Sequence, residues 1–137
     1  MEIVIAEDKK ALLDHFYVRG AVFIVEQEID WSLEFDDWDY DATFFVLYDD
    51  SSPVGAARLY KNKVGRVAVL RSHRHKKAGT LLMQAVEEHA RKKGIKTLEL
   101  GAQTYIIPFY ESLGYVAYGE IFLDADIEHR MMKKDIL

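Results

Sequence analysis

Short apolar stretches recur along the chain in patterns that predict the strands of a sheet. β-Branched and aromatic residues are frequent in them, as in ATFFVLY, and polar segments such as DDSSP and KNK separate them as turns. The predicted strands cover residues 2–6, 42–48, 54–60, 64–70, 97–100, 115–123 and 127–133.

Apolar residues at helical spacing predict three helices between these strands. Asp8 is a suitable N-cap for the first helix, which we expect to run to about Gln27. The clearest helix begins at Ala78 and carries an apolar stripe that stops at Gly94. A short third helix is predicted over 104–113, and the acidic stretch before the second strand is predicted to be a loop or a short helix.

The element order is therefore β-α-β-β-β-α-β-α-β-β, with strands two to four forming an antiparallel meander. Strand 64–70, helix 78–93 and a strand over 97–102 make one right-handed parallel crossover within it. These features predict an α/β fold with a mixed, mostly antiparallel sheet and flanking helices. Without internal repeats or a linker-like segment, residues 1–137 are predicted to form a single domain.

The composition is that of an ordinary globular protein, with 50% hydrophobic and 30% charged residues. The absence of cysteine excludes a disulfide framework, a thiolate metal site and a catalytic thiol. The first residues, MEIVIAEDKK, lack the features of a signal peptide, and no apolar run approaches the roughly 18 residues that span a bilayer. We therefore expect a cytoplasmic protein without a membrane partner.

The net charge of −5 argues against nucleic-acid binding, which requires a basic surface. The charges are nevertheless segregated along the chain. Residues 26–41 contain eight carboxylates and no Lys or Arg, whereas Arg71, Arg74, Lys76 and Lys77 lie close together. One segment favours cations and the other favours phosphate.

The basic segment, residues 71–80, lies between a predicted strand and the start of the best helix. The first turn of a helix has unpaired N–H groups and a partial positive charge, so it binds anions. A solvated basic loop is the alternative on charge alone. The strand-loop-helix context favours a phosphate site.

The chain resembles the GCN5-related N-acetyltransferases, the GNAT family, and within it a small bacterial-type subgroup. The family's pyrophosphate loop follows the pattern Arg/Gln-x-x-Gly-x-Gly/Ala, which Arg74-His75-Lys76-Lys77-Ala78-Gly79 matches except at Lys77. Glycine at that position permits positive φ, so Lys77 either weakens the phosphate cradle or supplies an ammonium group to it. Further matching segments are Val18-Arg19-x-x-Val22-Phe23-x-x-Glu26-Gln27, Arg66-Val67-Ala68-Val69, Ala102-Gln103, Phe109-Tyr110-x-x-Leu113-Gly114-Tyr115 and Ile127-x-His129-x-x-Met132.

This resemblance implies acetyl-CoA as co-substrate, no metal, and a GNAT fold in which strands 64–70 and 97–102 splay apart around the pantetheine arm. Main-chain groups near Val67 and Val69 would bind the pantetheine amides and polarise the thioester carbonyl. The alternative for both valines is packing in the strand core, and both interpretations can hold. The residues that the resemblance assigns to the coenzyme are Val67, Ala68, Val69, Arg74, His75, Lys76, Lys77, Ala78, Gly79, Thr80, Gln103, Phe109 and Tyr110.

Tyr110 matches the family's usual general acid, which protonates the departing coenzyme thiolate. A phenol with an ordinary pKa of about 10 keeps its proton at pH 7 and can donate it. The alternative is that Tyr110 is an aromatic packing residue.

An acceptor amine of pKa about 10.4 must lose a proton before it attacks, which costs about 4–5 kcal/mol at pH 7. Arg19, Phe23 and Glu26 fall on one helical face, so they are predicted to bind the acceptor, with Glu26 as a candidate base that Arg19 orients. A structural ion pair is the alternative for both Arg19 and Glu26. His129 is a second candidate base by its intrinsic pKa, although a lone histidine is more often packed or hydrogen-bonded.

The acidic segment from Glu34 to Asp41 also carries aromatic residues and would suit a cationic amine through charge and cation–π attraction. A solvated acidic loop with packed aromatic residues is the alternative. The segment lacks EF-hand spacing, so no metal is predicted.

The resemblance implies an N-acetyltransferase that moves the acetyl group from acetyl-CoA to a primary amine of a small molecule or a protein. Attack is expected to be direct, because no cysteine can carry the acyl group. The chain is expected to act as a monomer or a homodimer. The alternatives are a non-catalytic acyl-CoA-binding or sensing module, and an interaction module unrelated to coenzyme A, which the overall acidity disfavours.

Overall fold

The computed structural model describes residues 1–75 and 77–137, and the coenzyme contact predicted for Lys76 therefore lies outside the described residues. The strands in these residues are β1 (Glu2–Ile5), β2 (Thr43–Asp49), β3 (Ser52–Tyr60), β4 (Lys63–Val69), β5 (Thr97–Gln103), β6 (Val116–Asp124) and β7 (Ile127–Asp135). They form one seven-stranded sheet in the order β1-β2-β3-β4-β5-β7-β6.

The helical elements lie between these strands. The α-helices are α1 (Lys9–Arg19), α2 (Trp31–Glu34), α3 (Ala78–Lys92) and α4 (Ile107–Ser112). A π-helix (Gly20–Glu26) continues α1, and 3-10 helices cover Asp37–Tyr40, Arg71–His73 and Thr104–Ile106.

The sheet is covered by helices on both faces. Ala57 of β3 belongs to the cluster that includes Leu82 and Val86 of α3, whereas Ala56 packs with Val18 of α1. Because successive residues of a strand point to opposite faces, α1 and α3 lie on opposite sides of the sheet. This arrangement leaves the loop before α3 at the carboxyl end of β4.

The parallel pair β4–β5 is joined over a short length only. Pairing is limited to Lys63 with Glu99 and Val64 with Leu100, although β4 continues to Val69 and β5 to Gln103. Every other neighbouring pair in the sheet is antiparallel. The predicted mixed sheet with two splayed parallel strands is confirmed, and we call the space between the diverging ends the cleft.

The predicted first helix has the right extent but changes its geometry part way. Asp8 caps α1 by accepting a hydrogen bond from the Ala11 N–H at 2.8 Å, as its position predicts. From Gly20 the chain makes wider π turns, and the Gln27 N–H reaches back five residues to the Val22 carbonyl. The wider turns change the direction of the side chains that follow.

Element boundaries differ from the predicted ones elsewhere. The helix predicted over 104–113 divides into a 3-10 turn and α4. Strand β3 begins at Ser52, so the turn before it is tighter than the five residues DDSSP, and Asp50 takes positive φ there. The acidic segment contains short helical turns, one of the two forms expected.

Candidate active site

The loop between β4 and α3 places two non-glycine residues in the left-handed region. His75 has φ 66° and Lys77 has φ 62°. Lys77 is the residue that precedes the first turn of α3, and it takes the conformation for which the family pattern uses glycine. A side chain in this conformation costs about 1 kcal/mol or more. Lys77 therefore takes the positive φ that glycine would permit at this position.

The amino end of α3 is open. No side chain among the described residues caps it, so its first-turn N–H groups are available to an anion. Gly79 in this turn lies against Phe109, since a Cβ at position 79 would come within 3.0 Å of the Phe109 Cζ. The close approach brings α4 next to the helix terminus and explains glycine at this position.

Arg74, the first residue of the pyrophosphate pattern, is held on two sides. Its Nε donates to the Val69 carbonyl at 3.0 Å, at the end of β4. Its two terminal nitrogens donate to the two carboxylate oxygens of Glu26 at 2.6 and 2.7 Å. These hydrogen bonds lower the pKa of Glu26. A carboxylate so stabilised in its charged form is a poor proton acceptor, so Glu26 takes the alternative role, an ion pair.

The other side of the cleft carries a row of polar side chains. The Gln103 Nε2 at the end of β5 donates to the Gln27 Oε1 at 3.0 Å. His129 lies directly opposite Gln103 in the β5–β7 ladder, so their side chains share one face of the sheet. The structure therefore brings His129 to the same end of the cleft as residues 26 and 27.

His129 has a defined tautomer. Its Nδ1 lies 2.7 Å from the Ile127 carbonyl oxygen, which can only accept, so Nδ1 carries the hydrogen. The Nε2 of the neutral ring then holds the lone pair. The ring also stacks on Phe122 with 5.7 Å between centroids.

Tyr110 is buried in α4 with 7% of its surface exposed. Its ring packs edge-on against Phe109 and Tyr115, at 5.0 and 5.9 Å between centroids. Burial raises the pKa of the phenol well above its ordinary value. Within residues 1–75 and 77–137 the hydroxyl makes no hydrogen bond. A protonated, uncommitted hydroxyl of this kind can donate to a ligand.

Tyr105, which the sequence patterns did not single out, lies near two of these groups. It is on the 3-10 turn after β5 and is 71% exposed. The pKa of Arg74 is raised mainly by its hydrogen bond with Glu26 and to a smaller degree by Tyr105. The pKa of Tyr110 is raised mainly by burial and to a smaller degree by Tyr105. An exposed aromatic residue in a turn has no distinctive spacing, so no sequence signal marks it.

A β-bulge shapes the β4 side of the cleft. Residues 66 and 67 of β4 lie opposite the single residue Ala57 of β3, and Arg66 has φ 53°. The Arg66 guanidinium donates to the Glu34 carbonyl at 3.0 Å and to an Asp36 carboxylate oxygen at 3.2 Å, which holds the strained turn. Val67 and Val69 pack partly against the core, consistent with their second interpretation.

The prediction that Arg19 orients Glu26 or binds the acceptor is wrong. Arg19 is fully buried, and its Nε and Nη1 donate to Glu34 and Asp39, each at 2.8 Å. The π turns after residue 19 remove the shared face that an uninterrupted α-helix would give Arg19 and Glu26. Arg19 is instead the centre of a structural ion-pair network, the alternative that the sequence left open.

This network neutralises most of the acidic segment. Arg58 donates to Asp36 at 2.8 Å and to Asp39 at 3.0 Å. Burial alone would raise the pKa of Asp39, but hydrogen bonds and charge from Arg19, together with Arg58, outweigh it and lower the value to about 2. Three of the five carboxylates of the segment are thus paired, whereas the exposed Asp37 and Asp41 make no ion pair with any described residue.

The loop between β4 and α3 is also anchored near its start, at His73. His73 Nε2 lies 2.7 Å from the Asp49 Oδ2 in the β2–β3 turn, and His73 Nδ1 lies 2.8 Å from the Ser72 hydroxyl. The 3-10 turn before Arg74 is thus tied to the sheet.

Among residues 1–75 and 77–137, no group of histidine and acidic side chains could hold a metal ion. In the same residues, no helix has the length and apolar character needed to cross a bilayer.

Comparisons with solved structures identify the fold. The crystal structure of Escherichia coli ElaA superposes with a TM-score of 0.87 at 26% identity, covering 98% of this chain and 99% of that one. An aminoglycoside 6'-N-acetyltransferase complexed with coenzyme A has a TM-score of 0.73 and covers 100% and 98%, but its 18% identity shows the fold alone. The fold is the one shared by acyl-CoA N-acyltransferases.

The family is defined by sequence. The family model for the acetyltransferase (GNAT) domain matches residues 9–136. The uncharacterized N-acetyltransferase YjcF of Bacillus subtilis is 40% identical over 98% of this chain and 100% of its own length. The chain belongs to the GNAT family, and it transfers an acyl group from coenzyme A to an amine. The non-catalytic alternative is not favoured.

Proposed function

We propose that the protein transfers the acetyl group of acetyl-CoA to a primary amine, which attacks the thioester carbonyl directly. The observation that carries this proposal is the convergence of three features at the carboxyl ends of β4 and β5. These are the open amino end of α3, the uncommitted hydroxyl of Tyr110 beside it, and the polar row that ends in His129.

The donor site extends from α3 into the cleft. The N–H groups of Ala78, Gly79 and Thr80 and the Arg74 guanidinium bind the pyrophosphate, because both donate to anions in a fixed geometry. His75 and Lys77 are exposed on the loop and add donors and charge around the phosphates.

The pantetheine arm follows the cleft between β4 and β5. Main-chain groups of Val67, Ala68 and Val69 bind it on one side, where the bulge interrupts the ladder to β3. Gln103 binds it on the other side, and Phe109 packs along it. A main-chain N–H beside the bulge stabilises the negative charge that develops on the thioester oxygen.

Tyr110 is the general acid in this mechanism. The tetrahedral intermediate collapses with cleavage of the C–S bond, and the phenol gives its proton to the departing sulfur. The raised pKa keeps that proton in place at neutral pH.

His129 is the general base, acting through its Nε2 or through a water molecule. It takes the proton that the acceptor ammonium must lose, and neutral imidazole is suited to this exchange near pH 7. Phe23 packs against the cluster that includes Ala68 of β4, so its ring forms an apolar wall of the acceptor site.

A screen of primary amines with acetyl-CoA, detecting the free thiol of the coenzyme, tests the proposal. We expect release of CoA that depends on both the enzyme and a particular amine, and faster release from acetyl-CoA than from longer acyl-CoA donors. Initial-velocity lines should intersect, as they do when both substrates bind before chemistry. Parallel lines would indicate an acyl-enzyme and contradict direct attack.

A further inference from the structure

Glu26 and Arg74 form a two-point ion pair at the mouth of the cleft. The two carboxylate oxygens of Glu26 face the two terminal nitrogens of Arg74 at 2.6 and 2.7 Å, and Arg71 approaches Glu26 at 3.4 Å. This parallel geometry is the one in which a guanidinium also binds a phosphate group. A carboxylate in that position uses the donors that a phosphate would need.

The remaining contact of Arg74 fixes where those donors are directed. Its Nε donates to the Val69 carbonyl, which ends β4, so the guanidinium stays between the strand and the loop before α3. Arg74 and Glu26 keep 33% and 26% of their side chains exposed. A ligand can therefore reach the pair from solvent.

The next residue makes a bridge on the other side. Gln27 accepts a hydrogen bond from Gln103, which ends β5. Through Glu26 and Gln27, the end of the π-helix is thus joined to the carboxyl ends of both diverging strands. The pantetheine arm must pass between those same ends.

We infer that Glu26 holds Arg74 as an internal substitute for a donor phosphate, and that the pyrophosphate of coenzyme A displaces this carboxylate when it binds. The inference rests on the proposed donor site. It assigns Glu26 a role in setting the affinity for the coenzyme rather than in accepting the substrate proton.

A competing anion lowers the apparent affinity of the ligand that it excludes. Replacing the carboxylate by an amide of the same size removes most of the competition, because an uncharged partner binds a guanidinium more weakly. For a partly exposed pair we expect E26Q to lower the Kd for CoA by about three- to tenfold, which corresponds to about 0.6–1.4 kcal/mol.

The experiment is a calorimetric titration of the full-length protein with CoA, in wild type, E26Q and E28Q. Glu28 lies two residues beyond Glu26, is exposed, and makes no ion pair with any residue that the structure describes. E28Q therefore removes the same charge from the same region without freeing Arg74. A melting curve of each variant confirms that it is folded.

Tighter binding in E26Q and unchanged binding in E28Q is the expected result. Equal or weaker binding in E26Q overturns the inference, since the carboxylate would then orient Arg74 for the phosphates or play no part. Equal tightening in both variants also overturns it, because a general charge effect would suffice. Wild-type protein that binds no CoA would instead contradict the proposed donor site itself.

R74A supplies an independent measurement. Without the guanidinium, Glu26 no longer competes with the pyrophosphate for Arg74. Adding E26Q to R74A should therefore leave the Kd for CoA unchanged within about twofold. An undiminished effect of E26Q in the R74A background would show that the carboxylate acts elsewhere.

Discussion

Replacing Tyr110 with phenylalanine removes one hydroxyl from a buried side chain. The ring contacts with Phe109 and Tyr115 remain, and the lost hydroxyl bonds to no described residue, so no buried polar partner is left unsatisfied. The free energy of unfolding should therefore change by less than about 1 kcal/mol. Binding of CoA should also be nearly unchanged, since the phosphates contact other residues.

The chemical step should slow strongly. Loss of a positioned general acid lowers kcat by about 10²–10⁴-fold. The lower end applies here, because a thiol with an ordinary pKa of about 8.5 leaves more readily than an amine or an alcohol. We expect a decrease in kcat of about 10²-fold at pH 7, and a smaller decrease at higher pH, where the thiolate needs less assistance.

The assay is the rate of thiol release with saturating acetyl-CoA and an accepted amine. Tyr115→Phe is the matched control, because its hydroxyl donates to buried Glu87 at 2.8 Å and joins α3 to the residue just before β6. That variant should lose about 1–3 kcal/mol of stability and keep its kcat. If Y110F retains kcat within about threefold of wild type while folded, the acid role is wrong and Tyr110 is a packing residue.

Three further predictions concern the loop and the ion-pair network. K77G removes the strain of a lysine with positive φ but increases the conformational entropy of the unfolded chain. The free energy of unfolding measured by chemical denaturation should therefore change by less than about 1 kcal/mol, and a larger decrease would show that Lys77 is not strained. Because the folded pKa of Asp39 is depressed to about 2, its ion pair stabilises the protein above pH 4 and this contribution of about 2 kcal/mol disappears as the pH falls towards 2. The difference in unfolding free energy between wild type and D39N should therefore shrink over that range, and a constant difference would refute the linkage. D49N releases His73 and should weaken CoA binding by about two- to fivefold in a calorimetric titration; an unchanged Kd would show that the loop does not need this contact.

The sheet and its splayed pair follow closely from sequence. Apolar stretches and their separating turns located every strand, and the crossover from β4 through α3 to β5 has only one favoured hand. The uncapped amino end of α3 also follows from the strand-loop-helix order, and its use as a phosphate site stays a prediction. These features depend on local patterns and general rules of chain connection.

Other parts of the site depend on contacts that periodicity does not encode. The π turns after Arg19 separate it from Glu26, whereas regular helical spacing places both on one face. The partners of Arg19 come from a segment that packs against it only in the folded chain. Tyr105 lies on the 3-10 turn that follows β5, and a single exposed tyrosine leaves no pattern in the sequence.

The most direct test of the donor site follows the backbone amide resonances of the protein during titration with CoA. The N–H groups of Ala78, Gly79 and Thr80 should shift in a saturable manner, and pantetheine, which lacks the pyrophosphate, should shift them much less. Saturation of the protein with CoA while these three resonances stay in place would contradict phosphate binding at the start of α3.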